Sequence, residues 1–200
     1  MKNFIYEKVY VISYIRNNDR RKQISKLFKK LGIKFEFIYG LDIYNFENMH
    51  HIKTASFYDD LDYQIHGISC ALAHYTAIEH AYYENYNNCL ICEDDLSINM
   101  KYIDLLKYYF TTSIKEADVI KYCHNKDIYL FIKKYNEYFD KIYWHSNAGC
   151  YGFLNRNAMK KYLDNQYNKL YMADNDNLFN GLSIYAMNIK NSLNIFKNYL

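Results

Sequence analysis

The sequence predicts an α/β fold, with a mostly parallel sheet and helices on both of its faces. Short β-rich segments alternate along the chain with segments of helical periodicity. The chain opens with a strand at 9–12, a helix that ends before Gly32 and a strand at 34–39. This β-α-β order implies a parallel pair. Because 200 residues is the size of one domain, we predict a single domain over residues 1–200.

The first helix is predicted from its two ends and from one apolar face. Residues 17–19 (Asn-Asn-Asp) offer N-terminal caps, and Gly32 stands where a helix usually ends. The apolar face consists of residues at helical spacing: Ile24, Leu27, Phe28 and Leu31.

The remaining elements follow from the same two periodicities. In chain order they are a polar loop at 41–63, a helix at 65–86, a strand at 88–92, a helix at 99–110, a strand at 118–122, an ambiguous segment or hairpin at 124–142, a strand at 148–154 and a helix at 155–163. The tail from 184 onward has no clear pattern.

Composition excludes several classes of protein. Half of the residues are hydrophobic and 24% are charged, as in a soluble globular protein. A net charge of +3 is too small to indicate a nucleic-acid partner. No apolar stretch approaches the ~18–20 residues of a transmembrane helix, and the N-terminus lacks the features of a signal peptide.

The cysteines indicate a reducing compartment. Five cysteines at irregular spacing, without a signal peptide, are typical of reduced thiols. Cys89 and Cys92 form a lone CxxC, but their odd spacing in a strand puts them on opposite faces, so we interpret them as core residues. We therefore expect a cytoplasmic protein, with peripheral association at the inner face of a membrane left open.

The most informative motif is a strand that ends in three acids. The apolar run Cys89–Cys92 is followed by Glu93, Asp94 and Asp95. Unpaired carboxylates are costly in a core, and the carboxyl edge of an open α/β sheet is where ligands bind. Glu93 and Asp95 can share one face of an extended chain, which suits a divalent cation such as Mg²⁺ or Mn²⁺. The alternative is a solvated acidic turn.

Arginines follow the first strand. Arg16 and Arg20 lie near a strand end and a helix N-terminus, where a diphosphate would be bound by charge and by the fork geometry of guanidinium. For Arg21 and Lys22 we favour a solubilising role on the exposed face of the helix.

Residues 66–74 form a second cluster. Gly67 allows a close backbone approach at the predicted start of a helix, and His74 lies two turns further on the same face as small residues. We expect His74 to support the site rather than to take part in the chemical step.

A second acidic group, Asp174 and Asp176, follows another apolar stretch. One of these carboxylates could orient or deprotonate a hydroxyl. The alternative is an Asx-rich turn or a helix cap.

These segments, in this order, resemble glycosyltransferase family 25, which contains lipooligosaccharide-type galactosyltransferases and collagen-modifying relatives. Residues 67–74 are similar to the family's "GeiGCalSH", and residues 90–96 to its "liLEDDv". The other matching segments are 8–13, 19–21, 31–42, 148–154 with Ala158, and 173–174. Ser13, Ser69 and Ala73 depart from the family pattern.

The resemblance implies an A-type, Rossmann-like glycosyltransferase fold and a sugar-transfer reaction. The enzyme would move a hexose, galactose or glucose, from a UDP-sugar to a hydroxyl of an acceptor with inversion. The acceptor would be a lipooligosaccharide-like glycan or a glycoprotein. A bound Mn²⁺ or Mg²⁺ would neutralise the charge that develops on the departing UDP.

The resemblance also implies roles for individual residues. Asp95 is the first metal ligand and Glu93 the second, while Asp94 meets the ribose or the donor sugar. Arg20 and Asp42 lie near the nucleotide. The acceptor-side base, which inversion requires, is Asp174 or, as second choice, Asp176.

Two other functions remain open from the sequence. One is a catalytically inactive protein that binds a sugar nucleotide, which the intact acidic triplet disfavours. The other is a metal-dependent phosphodiesterase, since paired acids also build two-metal sites.

Overall fold

The structure is a computed structural model, and eight strands form one sheet within the residues that it describes: 4–41, 61–123, 131–144, 149–166 and 176–196. The strands are β1 (Lys8–Ser13), β2 (Glu36–Tyr39), β3 (Cys89–Glu93), β4 (Val119–Cys123), β5 (Phe131–Lys134), β6 (Phe139–Trp144), β7 (Cys150–Phe153) and β8 (Ile184–Met187). The helices are α1 (Asn18–Leu31), α2 (Leu61–Tyr83), α3 (Ile103–Phe110), α4 (Arg156–Gln166) and α5 (Ile189–Ile195), with 3₁₀ turns at Met100–Tyr102 and Asp176–Phe179.

The strand order is β2-β1-β3-β7-β4-β8-β6-β5. β1 pairs in parallel with β2 and β3, and β4 pairs in parallel with β8. β7 lies antiparallel between β3 and β4, and β6 lies antiparallel between β8 and β5. Only β7 and β6, among the described strands, run against the common direction, so the α/β prediction is confirmed, including the parallel pair of the opening β-α-β unit.

Helices cover both faces of the sheet, as predicted. On one face, α1 and α3 pack on the odd-numbered side chains of β1, such as Val9 and Val11. On the other face, α2 and α4 pack on Tyr10 and Ile12. Cys89 and Cys92 lie in these two different cores, which confirms their assignment to opposite faces. All five cysteines lie among the described residues, and no disulfide joins them.

Most element boundaries agree with the predictions, but the start of α2 and the N-cap of α1 differ from them. α2 begins at Leu61, ahead of the predicted residue 65, and residues 42–60 of the predicted loop lie outside the described residues. Gly32 ends α1 in the left-handed conformation with φ of 71°, as predicted. Asn17 is the N-cap residue of α1, yet its side chain makes no capping hydrogen bond.

The ambiguous segment forms a hairpin where it is described. β5 and β6 pair antiparallel, and β6 continues the sheet through β8. The tail forms β8 and α5, which the sequence pattern did not predict. No described helix combines the length and the apolar character that crossing a membrane requires.

A glycine in β7 makes room for an aromatic ring above the sheet. A Cβ added to Gly152 would lie 2.2 Å from Oη of Tyr6 and 2.3 Å from two carbons of its ring. The Tyr6 hydroxyl is 2.5 Å from the Tyr122 hydroxyl, so this ring is held in place from its far end. Interiors are packed too densely to absorb such an overlap without movement.

We therefore expect Gly152→Ala to lower the free energy of unfolding by about 1–3 kcal/mol, the usual cost of overpacking. Urea denaturation followed by circular dichroism measures the change. The matched background is Tyr6→Leu, which removes the ring. In that background Gly152→Ala should cost clearly less, because the two sites are coupled. An equal cost in both backgrounds would contradict this explanation.

Candidate functional site

An open cleft lies at the carboxyl ends of the parallel strands β1, β2 and β3. Its described part has a cavity volume of about 140 Å³, which is smaller than the ~300–1,000 Å³ typical of small-molecule sites. Its lining comes from three strand ends, the β1–α1 turn, the first turn of α1 and one side of α2: Ile12, Ser13, Tyr14, Asn17, Arg20, Gly40, Ser69, Cys70, Glu93, Asp94 and Asp95. Open α/β sheets bind ligands at this edge, where the sequence predicted the acids to lie.

The backbone at the end of β3 is fixed from both sides. The N–H of Asp94 donates to the carbonyl of Ile12 at 3.0 Å, at the end of β1. The N–H of Glu93 donates to the carbonyl of Gly149 at 2.8 Å, just before β7. The carboxylates that follow are therefore attached to rigid backbone rather than to a free loop.

Asp94 and Asp95 differ in burial and in partners. Asp94 is buried, and its Oδ2 accepts hydrogen bonds from Ser13 Oγ at 2.5 Å and from Asn17 Nδ2 at 3.5 Å. The side chain of Asp95 is 41% exposed at the cleft. Asp94 is thus oriented by the protein, and this explains why the Asn17 side chain faces the site instead of capping α1.

Arg20 joins the two aspartates. Its Nη1 lies 3.7 Å from Oδ1 of Asp94 and 3.7 Å from Oδ2 of Asp95, while about half of its side chain is exposed. A guanidinium in this position adds positive charge to the mouth of the cleft, next to the helix N-terminus of α1. Both features favour an anionic group such as a phosphate.

The interpretation of Arg21 as a solubilising residue is wrong. Its Nη1 donates to the carbonyl of Tyr14 at 2.5 Å and its Nη2 to the carbonyl of Ile15 at 2.7 Å. It also donates to the side chain of Asn18. Arg21 therefore closes the β1–α1 turn. Sequence periodicity could not reveal this, because the partners are backbone carbonyls.

His74 lies at a junction of α2, β3 and β7. Its side chain is only 1% exposed. Its Nδ1 lies 2.7 Å from the hydroxyl of Tyr151, and the two rings stack with an interplanar angle of 9°. Its Nε2 lies 3.4 Å from Oε1 of Glu93. Burial lowers the pKa of His74, but Cys70 and Glu93 raise it by more, so that it reaches about 10.

A close backbone approach occurs at Gly40. A Cβ added to Gly40, directly after β2, would lie 2.6 Å from Ser69 Oγ. Ser69 Oγ in turn donates to the carbonyl of Leu41 at 3.0 Å. Gly67 lies inside α2, ahead of these contacts, because the helix begins earlier than predicted.

The remaining predicted site residues are not among the described residues that line the cleft. Asp42 and Asp174 lie outside the described residues, and Asp176 begins the 3₁₀ turn Asp176–Phe179. Lys121, which was not among the predicted residues, is fully buried in β4 with its Nζ 4.0 Å from the centroid of the Phe179 ring. A charged residue within the apolar segment Val119–Cys123 was the available signal, since burying an ammonium group is costly unless it is compensated.

The donor atoms at the cleft fit a divalent cation. Asp95 and Glu93 present carboxylate oxygens at the surface of the cleft, with 41% and 34% of their side chains exposed. Hard cations such as Mg²⁺ and Mn²⁺ prefer such oxygens. A cation held there, next to Arg20, would suit a ligand with a diphosphate.

Comparison with known protein families gives one match. The sequence model of a family described as "Glycosyltransferase family 25 (LPS biosynthesis protein)" matches residues 6–178. A comparison with curated proteins returned no match.

Among solved structures, the chain is similar to a glycosyltransferase involved in the glycosylation of the major capsid of PBCV-1, with 9% identity and a TM-score of 0.41. The similarity covers 81% of this chain and 66% of the other, which is slightly less than two thirds. The family match alone spans most of the chain, and the protein therefore belongs to glycosyltransferase family 25.

Proposed function

We propose that the protein transfers a hexose, galactose or glucose, from a UDP-sugar to a hydroxyl of an acceptor glycan, with inversion and with a divalent cation. The main support is that Arg20 lies next to both Asp94 and Asp95 at the carboxyl end of β3. A nucleotide diphosphate, a cation and a sugar would bind side by side there.

The donor would be bound mainly by residues of β1, α1 and β3. The Arg20 guanidinium has the fork geometry that suits a diphosphate. Oδ2 of Asp94 is held by Ser13, which leaves Oδ1, 3.7 Å from Arg20, to accept a hydrogen bond from a ribose or sugar hydroxyl. Asp42 would add a contact to the nucleotide.

Asp95 would be the first ligand of the Mn²⁺ or Mg²⁺, and Glu93 would be the second. When bound there, the cation supplies neutralisation of the negative charge that develops on the departing UDP. Arg20 supplies part of the same stabilisation, and it would have to share Asp95 with the cation, because it already lies 3.7 Å from that carboxylate.

The acceptor would approach from the opposite side of the sugar. Inversion requires a base on the face away from the leaving group. Asp174 is the first candidate, because it matches the last acid of the family pattern, and Asp176 is the second.

We infer that the acceptor is a lipooligosaccharide-like glycan or a glycoprotein. Transfer assays with a panel of UDP-sugars, read by mass spectrometry, test the donor directly, and absence of transfer with every donor would contradict the proposal.

We expect Asp95→Asn to lose most of the cation-dependent affinity for UDP, because the amide removes the charge of the proposed first ligand. Calorimetric titration of UDP with and without Mn²⁺ measures the effect. The matched control is Asp104→Asn, which changes an exposed aspartate of α3 outside the cleft and should leave the affinity unchanged. Unchanged affinity in a folded Asp95→Asn variant would remove Asp95 from the cation site.

We expect Asp174→Asn to bind UDP and the cation normally but to transfer sugar about 10²–10⁴-fold more slowly, the usual cost of losing a general base. Single-turnover kinetics with saturating donor measures the chemical step. Asp176→Asn is the matched control and should lower stability while most activity remains. If Asp176→Asn shows the kinetic defect instead, the two roles must be exchanged. If neither variant slows transfer, the base lies elsewhere.

A further inference from the structure

Three metal-ligating side chains meet at the inner wall of the cleft. Cys70 and His74 are four residues apart on α2, so they project from the same side of the helix. Glu93 is the last residue of β3. One ligand atom from each of these residues lies within 4.8 Å of the other two. A contraction of well under an ångström per atom would bring all three onto one small cation.

His74 supplies an independent reason to expect a ligand. Among the described residues, its Nε2 has no hydrogen-bond partner, although the side chain is almost completely buried. Leaving a buried polar atom without a partner destabilises the folded protein. The atom points toward Glu93, whose Oε1 is 3.4 Å away. This separation is close to the N···O distance between two ligands of one tetrahedral zinc ion, about 3.3 Å for metal–ligand bonds of ~2.0–2.1 Å.

Tyr151 holds the imidazole in a suitable orientation. When Nδ1–H donates to the Tyr151 hydroxyl, 2.7 Å away, Nε2 carries the lone pair and lies next to Glu93. Metal-binding histidines usually donate their second N–H in this way, which fixes both the tautomer and the ring. The stacked Tyr151 ring adds a second restraint.

We propose that Cys70, His74 and Glu93 bind one soft divalent cation, Zn²⁺, at a position separate from the hard cation of Asp95. A thiolate, an imidazole and a carboxylate form a donor set that zinc prefers and that Mg²⁺ does not. Cys70 and Glu93 line the cleft, so the fourth position opens toward bound substrate or water. Glu93 has two carboxylate oxygens and can therefore serve both positions. This inference goes beyond the proposed sugar transfer and does not depend on it.

The competing occupant of Nε2 is a proton. Nε2 would carry either a proton shared with Oε1 of Glu93, 3.4 Å away, or a metal ion. The two differ in one respect that can be observed, because only a metal forms a bond to the sulfur of Cys70.

Titration of the chelator-treated full chain with Co²⁺ tests the proposal without any sugar nucleotide. We expect one equivalent to give tetrahedral d–d bands together with a thiolate-to-cobalt charge-transfer band, both abolished by added Zn²⁺. Cys70→Ser should lose the charge-transfer band. The matched control is Cys89→Ser, a cysteine of β3 on the same sheet face as α2, and it should keep the band.

Two further variants sharpen the assignment. Tyr151→Phe removes the hydrogen-bond partner of His74 and should weaken Zn²⁺ binding about 10–100-fold while sulfur remains a ligand. Asp95→Asn should keep the full cobalt spectrum, even though it should lose cation-dependent binding of UDP. This result separates the zinc site from the proposed function, because either can fail alone.

Three outcomes would overturn the proposal. The first is the absence of Co²⁺ and Zn²⁺ binding in equilibrium dialysis of folded wild-type protein, which would leave a proton as the occupant of Nε2. The second is an octahedral cobalt spectrum without a sulfur band. The third is a band that survives in folded Cys70→Ser or disappears in Asp95→Asn, since the metal would then lie elsewhere.

Discussion

The site depends on how the carboxyl end of β3 is held between two neighbouring strands. β1 accepts from the N–H of Asp94, and the segment before β7 accepts from the N–H of Glu93. Carboxylates repel one another and prefer water, so three in a row would ordinarily spread into solvent. Fixed backbone instead presents Glu93, Asp94 and Asp95 to one cleft. Ser13 and Arg20 compensate the charge that this placement concentrates.

β7 contributes more to the site than its short length suggests. It pairs antiparallel with both β3 and β4 and so joins the two halves into one sheet. Its Tyr151 meets the imidazole of His74 on one face, while Gly152 admits the ring of Tyr6 on the other. One strand therefore fixes a site residue and completes a core, because successive side chains of a strand point to opposite faces.

The cleft separates two kinds of cation chemistry. At its mouth, Asp95 and Arg20 are partly exposed, which suits a hydrated hard cation and a diphosphate that enter from solvent. At its inner wall, Cys70 and the buried His74 offer sulfur and nitrogen, which suit a softer ion. Glu93 stands between these two environments. The two proposed cations would therefore share Glu93 but differ in their other ligands.

The sequence by itself determined the elements with strong local signals and the place of the acids. Periodicity and Gly32 defined α1, and the apolar run before Glu93 defined β3, because these signals lie within one element. Only the tertiary structure decided which strands are neighbours, that Arg21 binds the carbonyls of its own turn, and that Ser69 lies against Gly40. The meeting of His74 with Tyr151 likewise joins residues 77 positions apart. Such contacts depend on how separate elements pack, and no local pattern records that.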